Sequence, residues 1–308
     1  MAAGQPFVRG ARGFTLIELM IALAMFSLVS LAGFTVLSSG QKSSVMNDEV
    51  VKMQQSVRLA VDLIARDIRM AGYGNPASPA SVPTTNNCTS TIVPGTNSST
   101  GPDSISIITV DQVIGRLTQN APLAPATSTT AIILDSVTGL SNGDFITLDG
   151  VFTTSATVNT STKTLALGST IQAPQTFNGD ATGTGTQVVR LACVQYSVDA
   201  TNRQLLRDGV AVVDGIEDLQ LAYGVDADGD GQIDGASASN GGIVNWATTM
   251  NPTTVRLVRI NVVGRAGKSD DTFKTSSALS VEDHNIAHLA GYRRRVLTRT
   301  VSLRDLGL

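Results

Sequence analysis

The hydrophobic pattern of this chain begins with one long apolar run, residues 14–37, whose sequence FTLIELMIALAMFSLVSLAGFTVL contains a single charged side chain, Glu18. As an α-helix this run rises about 36 Å, enough to cross a hydrocarbon core about 30 Å thick. Arg9 and Arg12 precede the run, and no arginine or lysine interrupts it. This asymmetry predicts a membrane-spanning helix whose N-terminal end is cytoplasmic.

A cleavable signal peptide and a plain membrane anchor both explain this run less well. The run is longer than the apolar region of a signal peptide, and no A-x-A-like cleavage site follows it. A carboxylate near the centre of a bilayer costs at least about 2.5 kcal/mol and usually has a partner. No lysine, arginine or histidine occurs between Phe14 and Leu37. The partner of Glu18 must therefore come from outside this helix.

After the run, apolar residues recur every three or four positions, which predicts an amphipathic helix with one apolar face. The residues of this face are Met46, Val50, Met53, Val57, Ala60, Val61, Ile64 and Ile68. No proline occurs from residue 14 to residue 74, so one continuous helix is expected to end at the glycines of residues 71–74. The face would serve as a coiled-coil seam or pack on the chain's own head. Its short length and the strand-rich sequence that follows favour the head.

Short alternating or apolar runs, separated by turn-forming residues, predict β-strands in the rest of the chain. The predicted strands are residues 104–110, 130–135, 144–148, 164–167, 188–198, 204–207, 219–223, 255–263 and 294–303. Residues 75–102 are expected to form a loop region. The predicted fold class is therefore α+β, with a long N-terminal helix packed on an antiparallel β-rich head.

Composition and short motifs limit the classes of function. The net charge is −3, so the chain as a whole is not expected to bind nucleic acid. There is no GxSxG motif, no HExxH motif and no phosphate-binding glycine loop, so the chain is not expected to be an enzyme. Cys88 and Cys193 form neither a CxxC pair nor a Cys/His cluster, which leaves a zinc site unsupported. In an exported head a disulfide between them is expected, and two buried thiols are the alternative.

The aspartate-rich segment 226–234, DADGDGQID, is a candidate calcium site. Its alternating oxygen ligands, its glycine and its isoleucine match the first nine positions of an EF-hand-type loop. The candidate ligands are Asp226, Asp228, Asp230, the carbonyl oxygen of Gln232 and Asp234. Ser237 stands at the twelfth position, where an EF-hand has glutamate. We therefore expect an isolated calcium loop of weak affinity, about 0.1–1 mM, and a β-turn without metal is the alternative.

Two other groups of polar residues favour structural roles. His284 and His288 are four positions apart, which would place both imidazoles on one helical turn, but no third metal ligand is apparent. A basic C-terminal stretch contains Arg293, Arg294, Arg295, Arg299 and Arg304. Contact with DNA or a phospholipid surface is one interpretation of this stretch. A solvated strand with cross-strand ion pairs is the favoured one.

The residues at the start of the apolar run resemble a known processing signal. The segment GFTLIEL, residues 13–19, looks like the class III signal of type IV prepilins. The resemblance implies that a prepilin peptidase cuts between Gly13 and Phe14, and that Phe14 becomes N-methylated. It also implies that the Glu18 carboxylate pairs with the N-terminal amine of a neighbouring subunit and so sets the axial register during assembly.

Three further segments resemble the PilW family of type IV minor pilins. They are residues 58–73 (RLAVDLIARDIRMAGY), 216–226 (IEDLQLAYGVD) and 290–296 (AGYRRRV). Ile64 replaces a leucine of the family pattern, and residues 75–187 carry little of the resemblance. The resemblance implies a type IV pilin fold and a minor pilin that takes part in pilus assembly or initiation, in a priming or tip complex that twitching motility needs. The implied partners are other minor and major pilins, the prepilin peptidase and the inner-membrane assembly platform.

On this basis the chain is expected to comprise a leader peptide at 1–13, a transmembrane half-helix at 14–37, an amphipathic half-helix at 38–72 and a globular head at 73–308. The expected location is the inner membrane, with one span and a periplasmic head, and then the pilus at the cell surface. A J-type minor pseudopilin of type II secretion is an alternative, and so is a pilus-tip adhesin or DNA-uptake subunit. Segment 69–73 and the three arginines at 293–295 favour the pilus.

Overall fold

The computed structural model describes residues 13–74, 88, 90–96, 99–123, 131–168, 174–234, 242–245, 251–270, 273–274 and 278–303. The chain forms two compact units, Met1–Val50 and Val51–Leu308, whose boundary lies inside the first helix. The expected leader lies outside the described residues except for Gly13. Ser237 and Arg304 also lie outside them.

Helix α1 spans Leu16–Met70 and has 55 residues, which confirms the continuous helix that the apolar spacing and the lack of proline predict. Its end is also where the sequence predicts it. A turn at residues 71–74 follows the helix, and Gly72 has a φ angle of 86° there. This left-handed conformation is common just after a helix and strongly favours glycine.

The two parts of α1 bury different amounts of surface. In the unit that ends at Val50, the large apolar side chains from Phe14 to Leu37 are exposed. In the unit that begins at Val51, the apolar face of α1 is buried from Met53 onward. The predicted packing of this face on the chain's own head is therefore what the structure shows.

Within the described residues the head contains seventeen strands. They are β1 (Ile92–Pro94), β2 (Ile105–Arg116), β3 (Ala121–Leu123), β4 (Ala131–Ile133), β5 (Phe145–Leu148), β6 (Phe152–Asn159), β7 (Thr164–Leu167), β8 (Gln175–Phe177), β9 (Gln187–Asp199), β10 (Gln204–Arg207), β11 (Val210–Asp214), β12 (Ile216–Val225), β13 (Ile243–Asn245), β14 (Val255–Arg265), β15 (Leu279–Val281), β16 (His284–Ile286) and β17 (Arg294–Ser302). A short 3₁₀ helix, Pro252–Thr254, precedes β14. Every strand predicted from the sequence is present, and the eight additional strands are mostly three to five residues long.

The strands form a large sheet, a four-stranded sheet and two small hairpins. The large sheet has the order β1-β2-β9-β5-β6-β7-β4, and β10 and β11 extend it beside β9. The four-stranded sheet has the order β13-β12-β14-β17. The two-stranded ladders are β15-β16 and β3-β8. All of these ladders are antiparallel, as predicted.

The main core joins α1 to both sheets. Its helix side chains include Val57, Ile64 and Ile68, and they share one buried cluster with side chains of β2, β9, β12 and β14. The contact with β14 is so close that a Cβ atom at Gly264 would lie 2.3 Å from a methyl carbon of Val57. Glycine at this position therefore sets how near the helix approaches the sheet. Side chains of β2 to β9 build a second, separate core.

Candidate assembly and calcium sites

The start of α1 is organised by Thr15 and Glu18. The Thr15 hydroxyl accepts a hydrogen bond from the Glu18 N–H at 3.3 Å, and Glu18 Oε2 accepts one from the Thr15 N–H at 3.4 Å. This reciprocal pair is a capping box, which satisfies N–H groups that a helix start leaves without intrahelical partners. Sequence analysis missed it, although a threonine followed three residues later by glutamate, before an apolar run, is its signature.

The capping box leaves part of the Glu18 carboxylate available. Both side chains are exposed, and Oε1 of Glu18 makes no hydrogen bond to any described residue. Phe14, which directly precedes the capping threonine, is 87% exposed. Of the residues that the structure describes, α1 is the one helix that is long and apolar enough to cross a membrane by length and composition. A single carboxylate therefore lies at the start of a long exposed apolar surface.

A buried polar contact fastens the second part of α1 to the large sheet. Asp67 is 4% exposed, and its Oδ2 atom accepts a hydrogen bond from the Tyr196 hydroxyl on β9 at 2.7 Å. A guanidinium nitrogen of Arg207 on β10 lies 3.3 Å from the same oxygen. Burial, and then the hydrogen bond to Asp67, raise the pKa of the Tyr196 hydroxyl far above its usual value. The phenol therefore remains a donor to this carboxylate.

Asp62 and Arg66 carry opposite charges at helical spacing on α1, but they form no ion pair with each other among the described residues. Asp62 instead forms an ion pair with Arg299 on β17. Arg66 lies 3.5 Å from Asp67. The helix charges contact the sheets because the head packs against this part of α1. Helical spacing alone cannot show a partner more than two hundred residues away in sequence.

Three of the candidate calcium ligands meet in the loop after β12. One carboxylate oxygen from each of Asp226, Asp228 and Asp234 lies within 4.8 Å of the other two. The loop is closed on itself, since the Asp234 N–H donates to the Val225 carbonyl at 2.7 Å and the Gly229 N–H donates to Asp226 Oδ1 at 2.7 Å. The loop thus gathers three hard oxygen donors of the kind that calcium prefers.

The buried member of this cluster has an incompletely satisfied carboxylate. Asp226 is 1% exposed, and its Oδ2 atom makes no hydrogen bond to the described residues. Arg256 Nε lies 3.4 Å away, yet this nitrogen also lacks a hydrogen bond among the described residues. A poorly aligned arginine therefore supplies part of the positive charge that a buried carboxylate requires. The residues present fit a calcium ion, which would supply the rest.

Asp230 is not in this cluster of carboxylate oxygens. Asp230 Oδ1 accepts a hydrogen bond from the Gln232 N–H at 2.8 Å, and both residues are exposed. The twelfth loop position, Ser237, is not among the described residues. The loop therefore presents three of its carboxylates together and keeps Asp230 and Gln232 in a local turn.

A disulfide links Cys88 and Cys193, as expected for an exported head, with the two Cα atoms 6.0 Å apart. Cys193 lies on β9 opposite Ile108 of β2. Both cysteines are buried, and they form a small apolar cluster with Ile108 and Leu191. The bond therefore fastens the segment before β1 to the middle of the large sheet.

The structure does not place the two histidines on one helical turn. His284 begins strand β16 and His288 follows that strand in a loop, so the disfavoured alternative, a metal-binding pair on one helical turn, does not fit the structure. Because side chains alternate along a strand, a spacing of four residues does not bring the two rings together as it does in a helix. His284 Nδ1 instead lies 2.9 Å from Asp218 Oδ2.

His284 belongs to a polar layer between the four-stranded sheet and the β15-β16 hairpin. Gln220 Nε2 lies 3.3 Å from His284 Nδ1, and Asn261 Nδ2 donates to Glu282 Oε1 at 2.7 Å. Burial raises the pKa of the Asp218 carboxyl, although Gln220 and His284 oppose the shift with hydrogen bonds. The strand predicted from the sequence begins at residue 219, after Asp218, and sequence analysis missed this layer. The alternation of Asp218 and Gln220 with leucine along β12 is the signal that could have shown it.

The basic C-terminal stretch makes ion pairs, as the favoured interpretation holds. Arg294 makes two hydrogen bonds to Glu217 at 2.6 and 2.8 Å. Arg293 pairs with Asp270 at 2.7 Å. Arg295 is exposed and has no ion pair among the described residues. The stretch is therefore largely, but not wholly, neutralised by its own head.

Comparisons with known families match two parts of the chain. A family model described as "Type IV Pilus-assembly protein W" matches residues 179–305, which contain β9 to β17. A second model, described as "Prokaryotic N-terminal methylation motif", matches residues 8–34 and so includes the capping box and the start of the apolar run. No curated protein and no solved structure gives a significant match.

Proposed function

We propose that this chain, a type IV minor pilin of the PilW family, takes part in pilus assembly or initiation within a priming or tip complex. Prepilin peptidase cuts between Gly13 and Phe14, and Phe14 becomes the methylated first residue. The first part of α1 holds the protein in the inner membrane, with its N-terminus cytoplasmic and its head periplasmic, before the subunit enters the pilus. Membership of the family implies contact with other pilins and with the assembly machinery.

The observation that carries this proposal is the single carboxylate of Glu18 on a long exposed apolar helix. The apolar side chains must be covered by lipid or by other apolar helices, because an exposed patch of this size is not stable in water. A charged group in that environment is costly unless it is paired. The Oε1 atom of Glu18 makes no hydrogen bond to any described residue and therefore needs a positive partner in this environment. The N-terminal amine of a neighbouring subunit supplies that charge.

The capping box offers a competing, purely local role for Glu18, and two substitutions separate the roles. Glutamine keeps the capping box but has no charge, whereas Thr15→Ala removes the threonine acceptor and keeps the charge. If charge pairing sets assembly, Glu18→Gln will abolish incorporation into pili as completely as Glu18→Ala, and Thr15→Ala will have a small effect. Incorporation would be measured by quantifying the protein in sheared pili and in membranes of the same cells.

The opposite pattern would refute the proposed role of the charge. It would be shown by a Glu18→Gln protein that enters pili normally while Thr15→Ala does not. Processing is tested separately by mass spectrometry of the mature N-terminus, where methylated Phe14 is the expected first residue. An intact leader is expected in cells without the peptidase.

We also propose that the loop at residues 226–234 binds calcium, which rigidifies the head. The supporting features are the three carboxylates that meet within 4.8 Å and the buried Asp226 oxygen that lacks a hydrogen bond to the described residues. With an affinity of about 0.1–1 mM, about 10 mM calcium would stabilise the head by about 1.4–2.7 kcal/mol.

The calcium proposal is tested by calorimetric titration of the detergent-solubilised full chain after treatment with a chelator. Calcium is expected to bind the unaltered protein, and Asp228→Asn is expected to weaken binding at least about tenfold because it removes one charged ligand. Asp149→Asn is the matched control, since it removes the same charge from an exposed turn outside the loop. Absence of any heat of binding and of any rise in melting temperature in calcium would refute the proposal.

A further inference from the structure

Strand β17 is an outer strand of the four-stranded sheet, because the sheet order places it beside β14 alone. Its pairing shows which main-chain groups point away from the sheet. The Arg293 carbonyl accepts from the Ala266 N–H, and the Leu303 N–H donates to the Arg256 carbonyl, so odd-numbered residues of β17 bond to β14. By the alternation of an antiparallel ladder, the N–H and carbonyl groups of the even-numbered residues, from Arg294 to Ser302, point outward.

The two outer edges of this sheet differ in whether their outward main-chain groups are hydrogen-bonded. Beside β12, the Asp103 N–H donates to the Leu219 carbonyl and Asp103 Oδ2 accepts from the Leu221 N–H, both at 2.8 Å. Strand β13 covers the next stretch of β12. No described residue pairs in this way with the outer edge of β17. The described residues thus hydrogen-bond to one edge of the sheet and not to the other.

Strand β17 lacks three of the features that commonly protect an edge, although it carries arginines, and charged side chains are a fourth such feature. Edge strands are commonly short, bulged or interrupted by proline. Strand β17 has nine residues without proline, and its register with β14 runs without a shift from Arg294 to Ser302. It therefore offers about 30 Å of regular edge.

A groove accompanies this edge on the side of the helix. It has a volume of about 180 Å³ and lies between α1 and β17. Its lining residues are Arg58, Val61, Asp62, Leu297, Thr298 and Arg299. A strand added to β17 would place alternate side chains over this groove, because side chains point to opposite faces along a strand.

The charges beside the groove are mainly positive. Arg299 is paired with Asp62, but Arg58 on α1 and Arg295 on β17 are exposed and have no ion pair among the described residues. Two uncompensated guanidinium groups therefore border the open edge. They favour carboxylates on whatever chain lies there, since complementary charge improves both the rate and the selectivity of association.

We propose that the outer edge of β17 binds an extended acidic segment of another polypeptide, which adds a strand to the four-stranded sheet. Only a polypeptide offers the alternating N–H donors and carbonyl acceptors that the edge requires, as in other cases of recognition by strand addition. A nucleic acid backbone could meet the arginines but has no such donors. The inference goes beyond the proposed assembly role of Glu18 and does not depend on it, because the edge belongs to the head.

The test is binding of a fluorescent peptide to the detergent-solubilised full chain, measured by anisotropy. The probe is an alternating valine–glutamate peptide as long as β17, 9 residues, and the matched control replaces every glutamate with lysine. The acidic peptide is expected to bind at least about tenfold more tightly. Methylation of alternate peptide nitrogens, in the frame that faces β17, is expected to abolish binding, whereas methylation in the other frame is tolerated.

Substitutions in the protein provide a second test in the same binding assay. Thr300→Pro removes an outward N–H that β14 does not use, so proline is tolerated there by the sheet; it is expected to reduce peptide binding, while Thr300→Val is not. Arg58→Glu combined with Arg295→Glu is expected to reverse the preference to the lysine peptide. The methylated peptides decide the question even if the proline variant fails to fold.

Three results would overturn the inference. The first is equal binding by the peptides methylated in the two frames, since it would exclude main-chain pairing. The second is equal binding of the acidic and basic peptides. The third is a single-stranded oligonucleotide that binds as tightly as the acidic peptide and competes with it, which would make the surface a general anion site.

Discussion

The disulfide between Cys88 and Cys193 is expected to supply a large part of the stability of the head. It closes a loop whose ends are 105 residues apart in sequence. Cys193 is on β9, in the interior of the large sheet, whereas Cys88 precedes the outer strand β1. The bond therefore connects segments that would be far apart in an unfolded chain. Replacing both cysteines with alanine removes this restriction.

The size of the effect follows from the length of the loop. In the chain-entropy model, a cross-link that closes about 105 residues lowers the entropy of the unfolded chain enough to stabilise the folded state by about 4.7 kcal/mol at 25 °C. This value is an upper estimate, because unfolded chains retain some structure. It is still comparable with the whole free energy of unfolding of many domains, about 5–15 kcal/mol. The variant head is therefore expected to be marginally stable.

Amide hydrogen exchange followed by mass spectrometry measures this loss in the head alone. Peptides from β2 and β9 are expected to exchange about a thousandfold faster or more in the double-alanine variant, if their amides exchange through unfolding of the head. Unaltered protein treated with a reductant is the control, since it lacks the cross-link but keeps both side chains and should change by a similar factor. An acceleration below about tenfold in both samples would refute the reasoning, because it corresponds to only about 1.4 kcal/mol.

Three further predictions concern single residues. Tyr196→Phe removes the hydroxyl that donates to the Asp67 carboxylate and should lower the free energy of unfolding by about 1.5–3 kcal/mol, measured by chemical denaturation; a loss below about 0.5 kcal/mol would contradict the role of this bond. Hydrogen bonds from Thr182 and Thr184 lower the pKa of the Asp180 carboxyl to about 2. Since this folded-state pKa lies below the usual value, its contribution to stability is present above about pH 4 and is lost as the pH falls toward 2; NMR titration should show the low pKa and its rise in Thr182→Ala. Gly264→Ala places a methyl group against α1 and should cost about 1–3 kcal/mol, and an unchanged melting temperature would show that the helix can move away freely.

The sequence predicts best those elements whose signals lie within the element itself. The spacing of Val57, Ile64 and Ile68 marks a helix face, and Gly72 marks its end, because both signals lie within the helix itself. The long strands β9, β12 and β14 were predicted for the same reason, since each carries enough apolar residues to be recognised alone. Strands such as β1, β3 and β13 have three residues each and are extended because a neighbour pairs with them. Their own sequences therefore contain little that predicts a strand.

The candidate sites show the same limit. The single charge of Glu18 and the aspartates of the 226–234 loop are visible in the sequence because each is a local departure from the surrounding composition. The burial of Asp67 is not visible, because its partners Tyr196 and Arg207 come from strands more than a hundred residues away. Likewise the spacing of His284 and His288 has a structural meaning only once the secondary structure is known.

The burial along α1 connects the fold to the proposed function. From Met53 onward the apolar face is satisfied by the head, so this part of the helix needs no partner to be stable. The apolar residues of 14–37 have no such cover among the described residues, and their side chains require lipid or apolar helices from other molecules. Neither lipid nor a cluster of apolar helices supplies a counterion. The charge of Glu18 is therefore costly both in the membrane and in a filament. Under the proposed function, a neighbouring N-terminal amine would pair with Glu18 at only one axial position, so a single carboxylate would determine the register of the apolar surface.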